Sequence, residues 1–490
     1  MTPTVGLSDF LLISPLVVLF IFSLLPIAIK VLGGNIERSP TAVLIEALIG
    51  LTLSAGLMIL FGGAGQSEAP TAFNGQLIFD GLTQSMGLVA VMGAAGALIM
   101  MYENPATRGQ QFSELVFLLI NSIVGMLILI AAANLLTVFI GLELMSLSLY
   151  LMIAMSHEQK VSKEAAIKYF VLGSFASAIF LYGVSFVFGS AGTVNLIDLM
   201  PEAATLMKTN KLFMFGMAFL TLGFCFKVSI APFHAWTPDV YQGAPTPITS
   251  YMATAIKAAS FAAFLRLIAT KPLFGSQNLF EVLQWFAVIT MTVGNVAALI
   301  QNNFKRVLAY SSVANSGYML VGVIASGVSQ DSAHGAASVI FYLFGYALMT
   351  MGAFAVVSII EKNENDSLQV DDLAGFAKNQ PMLSFCLTIF LLSMAGIPPL
   401  IGFFSKLYLF NAAVNEGLLW LAFWGVLNSV IGVYYYLRPI VVMYIKEGDC
   451  NIADNQAHGT TVLVVAAAML IIILGLASGP LFSIFERSLG

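Results

Sequence analysis

The sequence predicts an all-α polytopic membrane protein with about fourteen transmembrane helices. Hydrophobic residues make up 59% of its 490 residues, charged residues only 9%, and the mean hydropathy is +0.92. Soluble domains contain about 25% charged residues. A water-exposed surface cannot be built from this composition, so the lipid bilayer is the expected solvent for most of the surface.

Charge and cysteine content exclude two further classes of protein. The net charge of -5 provides no basic face for neutralising phosphates, which argues against a nucleic-acid partner. The three cysteines lack the C-x-x-C spacing of a metal or iron–sulfur site, and the histidines are far apart, so we expect neither a redox centre nor a metal site. These residues are Cys225, Cys386, Cys450, His157, His234, His334 and His458.

Apolar stretches of the length that crosses a bilayer, about 20 residues, follow one another along the whole chain. The first has no basic segment before it and contains Asp9, which predicts a retained helix rather than a cleaved signal peptide. Polar or Gly- and Pro-rich breaks divide the chain into fourteen predicted spans, numbered in chain order. They cover residues 9–31, 42–63, 81–102, 113–131, 134–156, 163–189, 211–231, 247–270, 278–301, 304–327, 333–361, 382–414, 418–445 and 460–486.

The distribution of basic residues between the loops predicts the orientation. Eleven fall in odd-numbered loops and four in even-numbered loops. Short cytoplasmic loops collect Lys and Arg, so we expect the odd loops in the cytoplasm and both termini on the outer, periplasmic side. The eleven are Lys30, Arg38, Arg108, Lys160, Lys163, Lys305, Arg306, Lys362, Lys378, Arg438 and Lys446; the four are Lys208, Lys211, Arg266 and Lys271.

Apart from charged residues near span ends, such as Glu46 and Glu114, five charged residues fall inside predicted spans: Glu143, Lys168, Lys227, Lys257 and Lys406. A charge at the bilayer centre costs about 2.5–3.5 kcal/mol, so these side chains are expected to face the interior, to pair, or to lose their charge. Lys168 lies near the start of span 6. Its side chain either snorkels to the cytoplasmic face or faces the interior with the other four charged residues. Lys257 lies near the middle of span 8, too deep for easy snorkelling.

Two spans are predicted to be broken. In span 7 Pro232 follows Lys227, and in span 12 residues 396–399 contain a glycine and two prolines before Lys406. Irregular backbone at this depth is tolerated only where protein or a hydrated cavity satisfies it, so both breaks predict a hydrated interior. His234, just past the first break, is either a proton relay or a lining residue.

The two broken spans are five apart, so they cross the membrane in opposite directions. This arrangement is typical of inverted repeats in transporters, although Pro and Gly are also common in ordinary membrane helices. The predicted domains are three N-terminal spans, a first repeat of spans 4–8, an inverted second repeat of spans 9–13, and a last span. Their bounds are 1–110, 111–275, 276–446 and 447–490.

The order of the buried charges along the spans predicts a proton relay. Glu143 and Lys227 are expected to form a pair in which movement of one switches the protonation of the other. Lys257 is then expected to pass the proton toward Lys406, which lies beyond its break in the outer half of the membrane. Lys168 and His234 are further candidates for this path.

Four motifs resemble those of a known family: GLELMSLSLY, KEAAIKYFVLGSFASA, KVSIAPFHAWTPDVYQGAPTPITSYMATAIKAASF and MAGIPPLIGFFSKLYLF. They resemble the antiporter-like membrane subunits of respiratory complex I, the proton-pumping NADH:quinone oxidoreductase, over about residues 110–445. Within this family the chain is most similar to the subunit N type. The DVYQGAPTP loop has the N-like form, Lys406 stands where the M subunit has an acid, and the chain lacks the long lateral helix of the L subunit.

The resemblance implies that Glu143, Lys168, Lys227, Lys257 and Lys406 form the proton path. It also implies that this chain carries no cofactor, and that FMN, iron–sulfur clusters and quinone are bound by partner subunits. The expected partners are an M-type antiporter-like subunit, small K-, J- and A-type membrane subunits, and the lipid of the cell inner membrane.

Two alternatives stay open at the level of sequence. A cation/proton antiporter subunit of the Mrp type shares many of these motifs, and sodium-dependent transport by the isolated protein would favour it. A structural membrane subunit without conduction predicts that Lys227→Ala or Glu143→Gln leaves proton pumping intact.

Overall fold

The structure is a computed structural model that describes residues 6–32, 39–62, 69–109, 111–155, 160–271, 275–329, 332–361, 368–448, 450 and 457–489. Arg38, His157 and Lys362 lie outside these ranges. Twelve helices within them are long and apolar enough to cross a bilayer. The all-α polytopic architecture expected from the sequence is therefore confirmed.

The N-terminal part contains four helices and one short hairpin. Ser39 and Asp80 begin the third and fourth helices, because each side chain accepts a hydrogen bond from a backbone N–H of the first turn. The two strands of the hairpin pair antiparallel. The elements are α1 (Leu7–Leu12), α2 (Ser14–Leu32), α3 (Pro40–Phe61), β1 (Thr71–Ala72), β2 (Leu77–Ile78) and α4 (Gly81–Glu103).

Predicted spans 4–8 form the next group of helices. A π-helical turn, Met252–Ile256, interrupts the helix of span 8 directly before Lys257. The α-helices are α5 (Phe112–Ala131), α6 (Leu135–Met155), α7 (Lys160–Ala191), α8 (Leu196–Leu199), α9 (Ala203–Thr209), α10 (Lys211–Lys227), α11 (Trp236–Gly243), α12 (Thr246–Tyr251) and α13 (Lys257–Ile268).

Spans 9–14 form the remainder, with a 3₁₀ turn at Val370–Leu373. The α-helices are α14 (Gln277–Leu299), α15 (Phe304–Val328), α16 (Ser332–Ile360), α17 (Phe376–Asn379), α18 (Pro381–Ala395), α19 (Ile401–Asn415), α20 (Leu419–Ile445), α21 (His458–Leu476) and α22 (Ser478–Leu489).

Three predicted spans differ in detail from the structure. Span 7 breaks directly after Lys227, where α10 ends, and not at Pro232 as expected. Span 12 consists of α18 and α19, and Gly396 ends α18 with a φ of +88°, a left-handed conformation that favours glycine. Span 14 ends at Leu476, and the amphipathic α22, with Phe482 buried and polar residues near its end, is a separate helix.

Burial divides the helices into an inner and an outer set. The central segments α5, α12–α13, α15 and α16 are buried by protein over 83–100% of their apolar stretch, whereas α2, α3, α7, α20 and α21 are buried over only 28–39% of it. Small residues allow the inner helices to pack closely. A side-chain carbon at Gly125 would lie 2.6 Å from the Met145 nitrogen, and one at Gly294 2.5 Å from the Ala314 nitrogen.

One backbone motif occurs twice. Leu135 N donates to Val194 O (2.9 Å) and Leu196 N to Ala133 O (2.8 Å), which ties the start of α6 to the segment after α7. In the same way, Phe304 N donates to Leu368 O (2.8 Å) and Val370 N to Asn302 O (2.8 Å), which ties the start of α15 to the segment after α16. The helices that follow each motif lead to a broken span.

Candidate functional site

The break between α10 and α11 is satisfied by protein groups, although its backbone is irregular. Within residues 228–235, Ala231 N donates to Thr290 Oγ1 of α14 (2.9 Å). Trp236 Nε1, at the start of α11, donates to Phe226 O near the end of α10 (3.0 Å). These bonds explain how non-helical backbone is accommodated within an apolar bundle.

Lys227 is the last residue of α10 and is buried, with 8% of its surface exposed. Its Nζ lies 5.4 Å from the ring centroid of Tyr169 on α7 and 5.9 Å from that of Tyr150 on α6. A cation in this position is stabilised by the negative faces of the two rings. Within the described part of the chain, Lys227 Nζ forms no hydrogen bond.

Glu143 lies half-buried on α6, and its Oε1 accepts a hydrogen bond from Ser177 Oγ of α7. Among the described residues, Glu143 and Lys227 do not come within the 4.0 Å of an ion pair. The two groups are therefore apart in this conformation, and the switchable pair stays a prediction.

Lys257 is fully enclosed, with 3% of its surface exposed. Its Nζ donates to two oxygens of Ser312 on α15, the backbone oxygen (2.7 Å) and Oγ (2.5 Å), and lies 5.2 Å from the Tyr346 ring centroid. The preceding π-helical turn changes the direction in which α13 presents its first residues. Such turns often mark functional sites, and hydropathy alone gave no signal for this one.

Lys406 lies on α19, but its Nζ reaches back to the end of α18. It donates to Met394 O (3.0 Å), Ala395 O (3.2 Å) and Ser429 Oγ of α20 (2.8 Å). The last carbonyls of a helix lack helical partners and carry partial negative charge. A cationic side chain is therefore stabilised there. Its hydrogen bonds connect α19 to the end of α18 across the break in span 12.

Lys168 lies at the surface of the bundle, with 43% of its side chain exposed. Its Nζ is 2.8 Å from Glu164 Oε1 and 2.9 Å from Asp239 Oδ2, and Asp239 Oδ1 is 2.9 Å from Arg306 Nη1. Lys168 thus links α7 to α11 and α15 through a chain of ion pairs, and it is exposed, whereas Lys227, Lys257 and Lys406 are buried.

Lys305 was assigned to a loop by the sequence, but it lies in the first turn of α15 with 6% of its surface exposed. Its Nζ donates to Ala244 O (2.8 Å) and lies 3.7 Å from Glu361 Oε1, while Thr246 Oγ1 donates to Glu361 Oε2 (2.5 Å). The position of Lys305 inside predicted span 10 was the available signal for its burial. We define Lys168, Asp239, Lys305, Arg306 and Glu361 as the charged cluster.

His234 lies in the break between α10 and α11 and is half-buried. Its Nδ1 atom is buried and has no hydrogen-bond partner in the described ranges. The structure therefore places His234 at the break, as expected, and leaves its role as a relay or a lining residue a prediction. No group of three or more His, Cys, Asp or Glu residues with the geometry of a metal site occurs in the part of the chain that the structure describes.

Comparisons with known proteins agree with this architecture. Residues 132–432 match the family model described as NADH:quinone oxidoreductase/Mrp antiporter, TM. The chain is 64% identical over 489 residues, and over the full length of both proteins, to NADH-quinone oxidoreductase subunit N of Bdellovibrio bacteriovorus. It superposes on a chain of respiratory complex I from Thermus thermophilus with a TM-score of 0.81 and 32% identity, covering 96% of this chain and 98% of that one.

A chain of the Mrp complex from Dietzia has the same fold, with a TM-score of 0.83, 18% identity, and coverage of 100% of this chain and 97% of that one. At this identity the likeness concerns the fold alone. The family model and the full-length identity lead to one assignment: this chain belongs to the NADH:quinone oxidoreductase/Mrp antiporter family, among its NADH-quinone oxidoreductase subunit N members.

Proposed function

We propose that this chain is the proton-translocating membrane subunit of an NADH:quinone oxidoreductase. One observation supports this function most directly: Lys227, Lys257 and Lys406 are buried in the bundle, and among the described residues none has a carboxylate within ion-pair distance. A buried ammonium without a counter-ion is costly. Such groups can be made to gain and lose protons when a neighbouring charge moves.

The proposed path follows the contacts of these residues. Asp239 in the charged cluster bonds to Lys168 and belongs to α11, the helix that follows the break after Lys227. Movement of Glu143 toward Lys227 would favour the protonated form of Lys227. The proton would then pass through Lys257 to Lys406. His234, at the first break, is proposed to exchange protons with the hydrated interior.

The proposal includes two inverted repeats, spanning residues 111–275 and 276–446 between the N-terminal spans (1–110) and the last span (447–490). Support comes from the paired backbone motifs at the starts of α6 and α15, and from the broken spans that follow each of them. The Gly125 contact between α5 and α6 has a counterpart at Gly294 between α14 and α15. Equivalent elements are offset by five spans, an odd number, so the two units would cross the membrane in opposite directions.

We further propose that the odd loops face the cytoplasm, that both termini lie on the periplasmic side, and that the host membrane is the cell inner membrane. An M-type antiporter-like subunit and small K-, J- and A-type subunits would be the membrane neighbours. Electron transfer through FMN and iron–sulfur clusters to quinone would occur in partner subunits, and this chain would contribute proton movement.

The experiment is Glu143→Gln in the assembled complex. The substitution keeps the size and the hydrogen bond from Ser177 but removes the charge that would switch Lys227. We expect NADH:quinone turnover and proton pumping to fall together, by about tenfold or more, since a positioned proton-transfer group typically contributes 10²–10⁴-fold. Both quantities would be measured per assembled complex in sealed membrane vesicles.

Glu46→Gln, on the outer helix α3, is the control, since this acid belongs to a helix outside the two repeats that hold the proposed path. Unchanged pumping and turnover in Glu143→Gln would remove Glu143 from the path. Sodium-dependent, NADH-independent transport by the subunit would instead support the Mrp-type antiporter function that the family model also covers.

A further inference from the structure

A series of buried polar groups, with one step between consecutive serines of α15, begins at Lys257. Its Nζ donates to Ser312 Oγ (2.5 Å), and the neighbouring residue, Ser311, places its Oγ 2.5 Å from the hydroxyl of Tyr436 on α20. Ser311 and Tyr436 have 2% of their surface exposed. Two consecutive serines of α15 therefore contact the lysine of span 8 and a tyrosine of span 13.

A second series begins at Lys406. Its Nζ donates to Ser429 Oγ (2.8 Å), and the backbone oxygen of the neighbouring Asn428 accepts from Asn295 Nδ2 (3.0 Å). Asn295 Oδ1 in turn accepts from the hydroxyl of Tyr435 (2.9 Å). Asn295 on α14 is completely enclosed. This series connects the lysine of span 12 to the residue adjacent to Tyr436.

The two series meet at Tyr435 and Tyr436, whose ring centroids lie 4.4 Å apart. A polar network inside an apolar bundle is costly unless its members are bonded to one another, and here nearly every member is. The exception is Asn428 Oδ1, which is buried and has no hydrogen-bond partner within the described residues. A buried polar acceptor of this kind is the environment in which an ordered water is typically held.

We infer that Tyr436 and Tyr435 are proton-transfer residues between Lys257 and Lys406, and that Asn295 is a positioning residue that orients the Tyr435 hydroxyl. The inference rests on the proposed function. It adds the section of the path between Lys257 and Lys406, to which the proposed function assigns no further lysine or carboxylate. Hydroxyl groups suit this section, because each donates one hydrogen bond and accepts another without holding a net charge.

The transfer is balanced in protons. An N–H bond of the Lys257 ammonium breaks, and each hydroxyl along the series forms one O–H bond as its own breaks. Water completes the two steps that no hydrogen bond spans, from Ser312 to Ser311 and past Asn295, whose amide holds its neighbours in place and does not relay the proton. The neutral Lys406 amine finally gains an N–H bond, so Lys257 ends neutral and Lys406 charged.

The test uses three consecutive tyrosines of α20. Tyr436→Phe and Tyr435→Phe each remove one hydroxyl and keep the buried ring, and Tyr434→Phe is the matched control because Tyr434 is 64% exposed on the outer surface. NADH:quinone turnover, protons pumped per electron and the solvent deuterium isotope effect would be measured per assembled complex. We expect Tyr436→Phe to lower coupled turnover by about tenfold and to raise the isotope effect, with Tyr434→Phe unchanged.

Ser311→Ala is a second, smaller change that leaves the phenol in place and removes its partner. It should lower coupled turnover in the same direction, by less than Tyr436→Phe. A merely structural network would change the amount of assembled complex and leave turnover per complex and the isotope effect unaltered, which would overturn the inference.

Lys257→Ala in the same background separates this inference from the proposed function. If Lys257→Ala abolishes pumping while Tyr436→Phe and Ser311→Ala pump normally, the path through α20 is wrong and the proposed function stands. If Lys257→Ala itself pumps normally, the proposed function fails, and the path through Tyr436 fails with it.

Discussion

Two of the buried lysines lie at the C-terminal end of a half-helix, one through its backbone position and the other through its side-chain contacts. Lys227 is the last residue of α10, and Lys406 folds back onto the carbonyls of Met394 and Ala395 at the end of α18. The partial negative charge of these ends stabilises a cation in surroundings that otherwise disfavour it. The break in span 12 thus provides the carbonyl groups that bind Lys406, because a continuous helix would leave none of them free.

At the opposite end of α13 from Lys257, one ion pair joins three helices. Arg266 Nη1 and Nη2 contact Asp80 Oδ2 and Oδ1 at 2.8 and 2.9 Å, and Arg266 Nε donates to Ile130 O (3.1 Å). Burial raises the pKa of Asp80, but the Arg266 guanidinium and the hydrogen bonds from Thr83 outweigh it and hold this pKa below its ordinary value. The carboxylate is therefore the form that stabilises the fold.

We expect Asp80→Asn to lower the free energy of unfolding by about 1.5–3 kcal/mol, the range for a hydrogen bond to a charged group. The contribution of Asp80 is fully present above its unfolded pKa, near 3.8, and is lost as the pH falls through the lower folded value. Thermal melting of the purified complex at neutral pH and at pH 3 would show a difference between wild type and Asp80→Asn that shrinks at the acidic pH. A constant difference would contradict the assignment.

At the scale of helices, close packing through glycine holds the paired inner helices together. A side chain at Gly294 would meet Ala314 backbone atoms at 2.5 and 2.8 Å, which cannot move without displacing α15. Gly294→Ala should therefore destabilise the subunit by about 1–3 kcal/mol, the usual cost of overpacking. The measurement is the melting temperature of the assembled complex.

Gly56 on α3 is the matched control, because nothing lies within 4 Å of a side-chain carbon built there. Gly56→Ala should be neutral or slightly stabilising, since alanine favours the helical state over glycine. Equal melting temperatures for Gly294→Ala and Gly56→Ala would show that the α14–α15 contact tolerates expansion.

The hydropathy pattern was sufficient to predict most helices, because a spanning segment needs a long apolar run whatever it packs against. It predicted the break in span 12 from its glycine and prolines, and it placed Lys257 and Lys406 in the interior. It missed the π-helical turn before Lys257 and the burial of Lys305, which depend on contacts with α15 and α16. The network of Asn295, Tyr435 and Tyr436 was also invisible, since its members are far apart in the chain.

At the scale of the whole molecule, Lys257 lies where protein surrounds the helices most completely. The enclosed segments α12–α13 and α15 hold Lys257 and its partner Ser312, whereas exposed apolar faces on α2, α3, α7 and α20 are suited to lipid or neighbouring subunits. Ser312 lies eight residues after the start of α15, as Glu143 does after the start of α6. At equivalent positions the two proposed repeats thus carry different side chains, a carboxylate on α6 and a hydroxyl on α15.

The repeats and the orientation make a joint prediction for the segments that follow α7 and α16. Asp198 and Asp371 are both exposed, and each lies just beyond one copy of the paired backbone motif. If the units are inverted, these two residues lie on opposite sides of the membrane. If the odd loops face the cytoplasm, Asp198 is the one outside.

Single cysteines at the two positions, in a background without Cys225, Cys386 and Cys450, can be tested with a membrane-impermeant maleimide on intact cells. We expect Asp198→Cys to react at once and Asp371→Cys to react only after permeabilisation, with Lys160→Cys in an odd-numbered loop behaving like Asp371→Cys. Reaction of both aspartate replacements from one side would contradict the inverted repeat. If Asp371→Cys reacted at once and Asp198→Cys only after permeabilisation, the inverted repeat would stand and the orientation would be wrong. The two can fail separately, because the orientation is predicted from basic-residue counts and the repeat from the paired backbone motif.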